Sequence, residues 1–250
     1  MSGTQPSPDG NSSGDSSGKG RAFLALLLLV PAPSLGALTA MRWLPGPAGQ
    51  VVYGASKVWL ILLPTFWYLR VDGGRPGASP VRRGGLGVGL VLGLLMGGVL
   101  AGAYFVLGDW LIPPADVEKV RGLAAEIGTG SPAGYLILTV YLCTVNAVLE
   151  EYVWRWFVFR KSEALVGKYA AVVLSALLFT VHHVFALGMQ FSWKFTVVGS
   201  AGVFVGGLVW SWCYLMYRSI WPGFLSHAIV DVVVFAVGWA LLFGESGPAG

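Results

Sequence analysis

The sequence predicts an all-α fold: a polytopic transmembrane helical bundle of seven or eight spans, with its N-terminus cytoplasmic. Three observations predict it. Of the 250 residues, 55% are hydrophobic and only 11% are charged, and the mean hydropathy is +0.70. Apolar runs recur from Arg21 toward the C-terminus, at the length of about 20 residues that a helix needs to cross a bilayer. These runs are continuous rather than alternating, which argues against a β-barrel. The formal net charge of +4 would suit a nucleic-acid partner in a soluble protein. Here the basic residues flank apolar runs, so they read as topology signals facing a lipid bilayer, and no nucleic acid is expected. Cys143 and Cys213 both lie inside apolar runs, so no disulfide framework is indicated.

Residues 1–20 are rich in Ser, Gly, Pro and Asp and read as a disordered N-terminal tail. The polar tail ahead of the first apolar run favours a spanning helix over roughly 22–42 rather than a signal peptide, kinked at Pro31 and Pro33. A second span is expected over 50–69 and a third over 85–108, where Gly97, Gly98 and Gly102 permit close helix contact. Between them lies a basic loop with Arg70, Arg75, Arg82 and Arg83. The segment 109–132 is a loop in which Pro113-Pro114-Ala115-Asp116 starts a short surface helix. Further spans are expected over 133–159, 169–189, 195–217 and 219–244. Residues 21–131 thus form an N-terminal helical region with a surface loop, 132–244 a transmembrane core that carries the intramembrane polar residues, and 245–250 a C-terminal tail.

With the tail inside, ten basic residues fall on the cytoplasmic side: Lys19, Arg21, Arg70, Arg75, Arg82, Arg83, Arg160, Lys161, Lys168 and Arg218. Four fall opposite, at Arg42, Lys119, Arg121 and Lys194. That asymmetry fits the positive-inside rule with seven spans; an eighth element would move the C-terminus inside.

The polar groups inside the spans are the chemical signal. Glu150, Glu151 and Arg155 lie within six residues of an apolar run, although each such group costs about 2.5–3.5 kcal/mol at a bilayer centre on insertion scales. All three histidines of the chain, His182, His183 and His227, also lie in later spans, and Asp231 follows His227 by one helical turn. Glu151 precedes Arg155 by four residues, the favourable order for a helical ion pair, so Glu151 is assigned to holding Arg155. Glu150 points about 100° away around the helix and is left to act as a base. Asp231 is placed to orient the His227 imidazole or to meet a substrate. At a rise of about 1.5 Å per residue, Glu150 and His227 each lie roughly 13 Å from the basic ends of their spans, so the groups can share one cavity. Trp154, Trp156, Phe157 and Phe159 read as bilayer-facing packing in preference to a substrate entry. Buried Glu–Arg and His–Asp pairs also serve as interhelical glue, and intramembrane Glu, His and Asp also build the proton relays of transporters.

These residues resemble the motifs of the CAAX protease and bacteriocin-processing (Abi) family of intramembrane endopeptidases. Glu150-Glu151-x-x-x-Arg155 matches its first motif, Phe179-x-x-x-His183 its second, and His227-x-x-x-Asp231 its third. The resemblance covers about 140–235 and leaves His182 as an extra neighbour. It implies hydrolysis of a peptide bond in a membrane-associated protein or peptide, lipidated or plain. By that resemblance Glu150 and His183 activate a water, His227 and Asp231 stabilise the oxyanion, and Arg155 positions the acidic pair or the substrate carboxylate. A glutamate-dependent mechanism without a metal is favoured; the competing set is zinc on Glu150, His183 and His227. The membrane expected is the inner membrane of a prokaryotic cell. The alternatives are a proton-coupled transporter and a non-catalytic immunity-type membrane protein.

Overall fold

The structure, a computed structural model, describes residues 12–82 and 85–244; these are mostly helical and include no strand. The expected tails therefore lie outside the described residues at 1–11 and 245–250, as does Arg83 of the basic loop. The described helices are α1 (Ser12–Leu29), α2 (Ala32–Leu38, continued by a π-helical turn over Thr39–Trp43), α3 (Pro47–Phe66, continued by a π-helical turn over Trp67–Val71), α4 (Gly85–Leu111), α5 (Pro114–Glu126), α6 (Pro132–Val166), α7 (Lys168–Gln190), α8 (Trp193–Tyr217) and α9 (Trp221–Phe243).

Helix α1 begins at Ser12, inside the stretch read as a polar tail. Extending a helix fixes one residue per added hydrogen bond, which is far cheaper than nucleating it, so the apolar stretch after Arg21 carries its polar flank with it. The helix is interrupted at Pro31, where α1 stops at Leu29 and α2 begins at Ala32. The surface helix is α5, opened by Pro114 in its first turn. Its Asp116 is buried and accepts from the Ser192 backbone N–H at 2.8 Å, joining the loop to the start of α8.

Six helical segments among the described residues are long and apolar enough to cross a membrane: Ser16–Trp43, Gly85–Leu111, Pro132–Val166, Lys168–Gln190, Trp193–Tyr217 and Trp221–Phe243. Helix α3 covers the remaining expected span but is not among the six; Lys57 and several small and aromatic residues dilute its apolar run. Its ends nevertheless lie at opposite ends of the bundle. Gly49 sits against Ala40 and Leu44 at one end, and Asp72, just past α3, pairs with Lys161 at the other.

Helix α6 runs 35 residues, seven beyond the expected span end at 159. Its middle is wound with i→i+5 hydrogen bonds over Leu142–Asn146 and again over Glu151–Phe159, the second stretch beginning at the Glu-Glu pair. Such π-helical insertions recur at functional sites. Gly167, at φ 82°, ends α6 and lets the chain turn directly into α7.

Two packing solutions hold the bundle. The central cluster joins Ala25 and Leu29 of α1, Leu60 and Leu63 of α3, Trp154 and Phe157 of α6, Phe179 of α7 and Trp210 of α8. Helix α4 instead docks on α9 through Gly85, Gly89, Gly93 and Gly97. A Cβ at Gly93 would stand 2.9–3.0 Å from Ile229, and one at Gly97 3.1 Å from Val233. The expected contact at Gly98 and Gly102 is thereby corrected: a Cβ at either meets nothing within 4 Å. Four-residue spacing keeps one face in register, and 98 and 102 fall on the neighbouring face. The aromatic run of α6 is corrected too. Trp154, Phe157 and Phe159 are buried rather than bilayer-facing, and only Trp156 is partly exposed.

The basic ends gather at one end of the bundle. The start of α1, the end of α3 and the end of α6 line one cavity there. Glu163 of α6 makes a bidentate pair with Arg218 after α8, at 2.6 and 2.7 Å. Ser79 of the basic loop accepts from the Ile220 N–H and the Trp221 indole at the start of α9.

Candidate functional site

Helices α6, α7 and α9 each deliver part of one polar cluster, and Phe179 of α7 forms its floor. The Phe179 ring lies 4.6 Å from the His183 ring, 5.6 Å from His182 and 6.4 Å from His227. It also lies 4.5 Å beneath the Arg155 guanidinium. One aromatic side chain therefore spaces the groups of three helices. An apolar floor of fixed shape is a reason for a Phe one turn before a functional histidine.

Glu151 and Arg155 are both fully buried, with Nε to Oε2 at 3.6 Å. Arg155 also lies over Trp210, 5.2 Å from its ring centre, so two aromatic faces carry part of its charge. The i, i+4 pairing anticipated from sequence is present, but it is half of what Glu151 does. Its other oxygen, Oε1, accepts from His227 Nδ1 at 3.1 Å across to α9. Glu151 thus ties Arg155 on its own helix to the imidazole of another.

Glu150 points elsewhere. Asn146, one turn earlier, donates to its Oε1 at 2.9 Å. Its Oε2 lies 3.8 Å from His227 Nε2. Glu150, His182 and His183 offer ligand atoms that all lie within 4.8 Å of one another. His183 Nδ1 is fixed by the Phe179 carbonyl oxygen at 3.1 Å, which leaves Nε2 for the cluster. Asp231 Oδ1 lies 3.7 Å from His227 Nε2, one turn along α9. Glu150 and Asp231 keep 18% and 19% of their side-chain surface exposed, whereas His227 keeps 6% and Glu151 none. The accessible rim is therefore Glu150 and Asp231, and the closed base is Glu151 and Arg155.

Glu150, Glu151, Arg155, His183, His227 and Asp231 are all brought together. Several neighbours were not singled out from sequence. Trp210 of α8 stacks on the His227 ring with centroids 4.1 Å apart and planes 18° apart, and its indole donates to Ser226 at 3.1 Å. Gly223 leaves room for the Glu151 carboxylate, into which a Cβ would run. His182, left as an extra neighbour by the motifs, stacks on Trp154 at 5.1 Å and belongs to the Glu150 group. Only Asn146 carried a legible signal, as a polar residue four positions before Glu150 in an apolar run. Trp210 and Gly223 look like any other Trp and Gly in a span.

The three-residue group also changes which side chains suit a metal. The set expected for zinc was Glu150, His183 and His227; the one that gathers is Glu150, His182 and His183. Adjacent histidines on one helix diverge by about 100°, which ordinarily separates them. Here the rings lie 3.9 Å apart because Trp154 and Phe179 steer both toward Glu150.

A family model, that of the type II CAAX prenyl endopeptidase Rce1-like proteins, matches residues 132–233. The matched segment runs from the start of α6 to just past Asp231 and contains every residue of the cluster. No curated protein and no solved structure matches the chain. The match and the apolar helices together point to an integral membrane protein.

Proposed function

We propose that this chain is an intramembrane endopeptidase that hydrolyses a peptide bond of a membrane-associated protein or peptide, with Glu150 as its base. The observation that carries the reading is the meeting of Glu150, His183 and His227 from three helices inside the segment similar to prenyl endopeptidases. In this reading a water sits between the Glu150 carboxylate and His183 Nε2. Glu150 takes a proton from it while the oxygen adds to the scissile carbonyl carbon. The carbonyl oxygen becomes an oxyanion, and Glu150 returns the proton to the departing amine. Partial exposure of Glu150 admits the substrate, and the buried base of the cluster holds the geometry.

His227 supplies the donor to the oxyanion. Its Nδ1 is engaged by Glu151, so Nε2 donates only when the ring is an imidazolium. Carboxylates facing both nitrogens support that form. Asp231 as a carboxylate has no proton to give, so its part is to balance the ring charge and orient it. Arg155 is too deeply buried to meet a substrate carboxylate and acts by holding Glu151.

A second reading has an observation of its own. Glu150, His182 and His183 form a His₂Glu donor set, and zinc held there would polarise the water and lower its proton affinity. Tetrahedral zinc with ligands at about 2.1 Å needs donor atoms about 3.4 Å apart. The group spreads to 4.8 Å, so its side chains would have to close in. That spread favours the metal-free mechanism.

We orient the basic end to the cytoplasm of a prokaryotic cell membrane, with α3 as a seventh crossing and the N-terminus inside. The test is cleavage of a panel of farnesylated and plain hydrophobic peptides by the purified protein in liposomes. Wild type is compared with Glu150→Ala, each with and without a strong chelator. Activity lost in the variant and indifferent to chelator is the expected result. Activity lost to chelator restores zinc, and full activity in Glu150→Ala overturns the assigned base. A pH-dependent flux with no cleavage of any peptide would favour the transporter.

A further inference from the structure

We propose that the cavity at the basic end of the bundle binds the headgroup of an anionic phospholipid. It has a volume of about 730 Å³ and lies between the start of α1, the end of α3 with the turn after it, and the end of α6. Among the described residues four cations line it, Lys19, Arg21, Arg160 and Lys161, with the carboxylate of Asp72. Lys161 is held by Asp72 at 2.5 Å, so the charge left for a ligand rests on Arg21 and Arg160. Among the described residues neither Arg21 nor Arg160 makes an ion pair. Arg21 reaches only Ser17, at 3.4 Å. The Arg160 guanidinium lies over Tyr68 and Trp156, 5.7 and 6.0 Å from their ring centres. That stacking uses its face and leaves its edge of N–H donors for an acceptor.

The chemistry of the cavity selects the ligand. Two guanidinium groups that keep donors for an acceptor suit the oxygens of a phosphate better than a single carboxylate does. Tyr68 and Trp156, packed edge to face at 4.9 Å, form the kind of aromatic wall found at the level of lipid headgroups. Ala22, Val71, Phe157 and Ala164 supply an apolar side for the glycerol and the first acyl carbons. Basic pockets between membrane helices on the cytoplasmic side are sites for anionic headgroups. Arg160 lies ten residues beyond Glu150 on α6, so the cavity is separate from the polar cluster and the inference does not depend on the cleavage reading.

The experiment is native mass spectrometry of the purified full chain with phosphatidylglycerol or phosphatidylcholine of matched acyl chains. The wild type retains the anionic lipid in preference to the zwitterionic one. Arg21→Gln/Arg160→Gln lowers that retention by roughly tenfold or more, two cations near an anionic surface being removed. Arg42→Gln, at the other end of the bundle, leaves it unchanged. Gly18→Leu keeps every charge but adds a bulky side chain to the cavity lining, at a position where a Cβ meets nothing within 4 Å. It lowers retention as well, and it decides the matter if the double variant does not fold. Equal retention of both lipids, equal loss in Arg42→Gln, or unchanged binding in the folded cavity variants would overturn the proposal. Displacement of the lipid by millimolar inorganic phosphate would overturn it in favour of a soluble anion.

Discussion

Helix α9 presents two faces that are held in opposite ways. Toward α4 it meets a row of glycines, and the contact is mainly one of shape: Pro222, Ser226, Ile229 and Val233 against Gly85, Gly89, Gly93 and Gly97, with one weak hydrogen bond from Ser226 to the Met96 sulfur. Toward α6 and α8 it meets charge and aromatic rings: His227 on Glu151 at 3.1 Å and under Trp210 at 4.1 Å. In a bilayer the first face works because lipid gives helices no hydrophobic reason to separate or join, and close backbone approach supplies the attraction. The second works because its buried charges are paired or stacked: Arg155 faces Glu151 at 3.6 Å and lies over Phe179 and Trp210, and His227 meets Glu151. The glycine face tolerates no added volume, and the polar face tolerates no missing partner.

The largest effect expected from breaking this contrast is at Glu151. Glu151→Ala strands both Arg155 and His227 in the interior, and removing one member of a buried pair costs about 3–5 kcal/mol. Thermal unfolding in detergent should show a protein that melts far below wild type or does not fold. A melting temperature within a degree of wild type would mean the pair is not coupled to stability. Next comes Gly93→Leu, where an overpacked seam costs about 1–3 kcal/mol while the polar cluster is untouched. The discriminating control is Gly98→Leu, which points into open space and should melt like wild type; equal losses at 93 and 98 would refute the stripe.

Gly223→Ala tests both faces through one methyl group. It drives a Cβ toward the Glu151 carboxylate, and displacing a positioned group by about 1 Å can cost on the order of 100-fold in rate. Cleavage should fall by that order with only a modest change in melting. Unaltered kcat would detach Glu151 from the positioning of His227. The smallest effect belongs to the basic end. Lys161→Ala removes a partly exposed pair with Asp72, for which surface pairs set a scale of about 0–1 kcal/mol. A shift of several degrees would show that this end, rather than the cluster, anchors α3 to α6.

Much of this was legible along the chain because membranes make polar residues expensive. Glu150, Glu151, Arg155, His183, His227 and Asp231 stood out in apolar runs, and helix–helix packing gathers all six. The span boundaries followed for the same reason, within a few residues at most ends. Helix α3 was less legible, since Lys57 and its small residues blur the apolar run. Trp210, Gly223 and the role of His182 stayed hidden. A tryptophan, a glycine and a second adjacent histidine carry no mark of which neighbour they will meet.

Sequence alone determined the class of fold, the helical pairing of Glu151 with Arg155 and the helix faces on which the polar groups lie, because each depends on local spacing and on the cost of burying charge. Tertiary structure decided the rest. It gave Glu151 a second partner on α9, set Phe179 beneath three helices' worth of functional groups, and brought His182 as well as His227 against Glu150. It also chose Gly93 over Gly98 for the seam and gathered three chain segments around one basic cavity. Each of these depends on which faces meet across helices far apart in the chain, and that is fixed only when the volumes of all the side chains between them are packed at once.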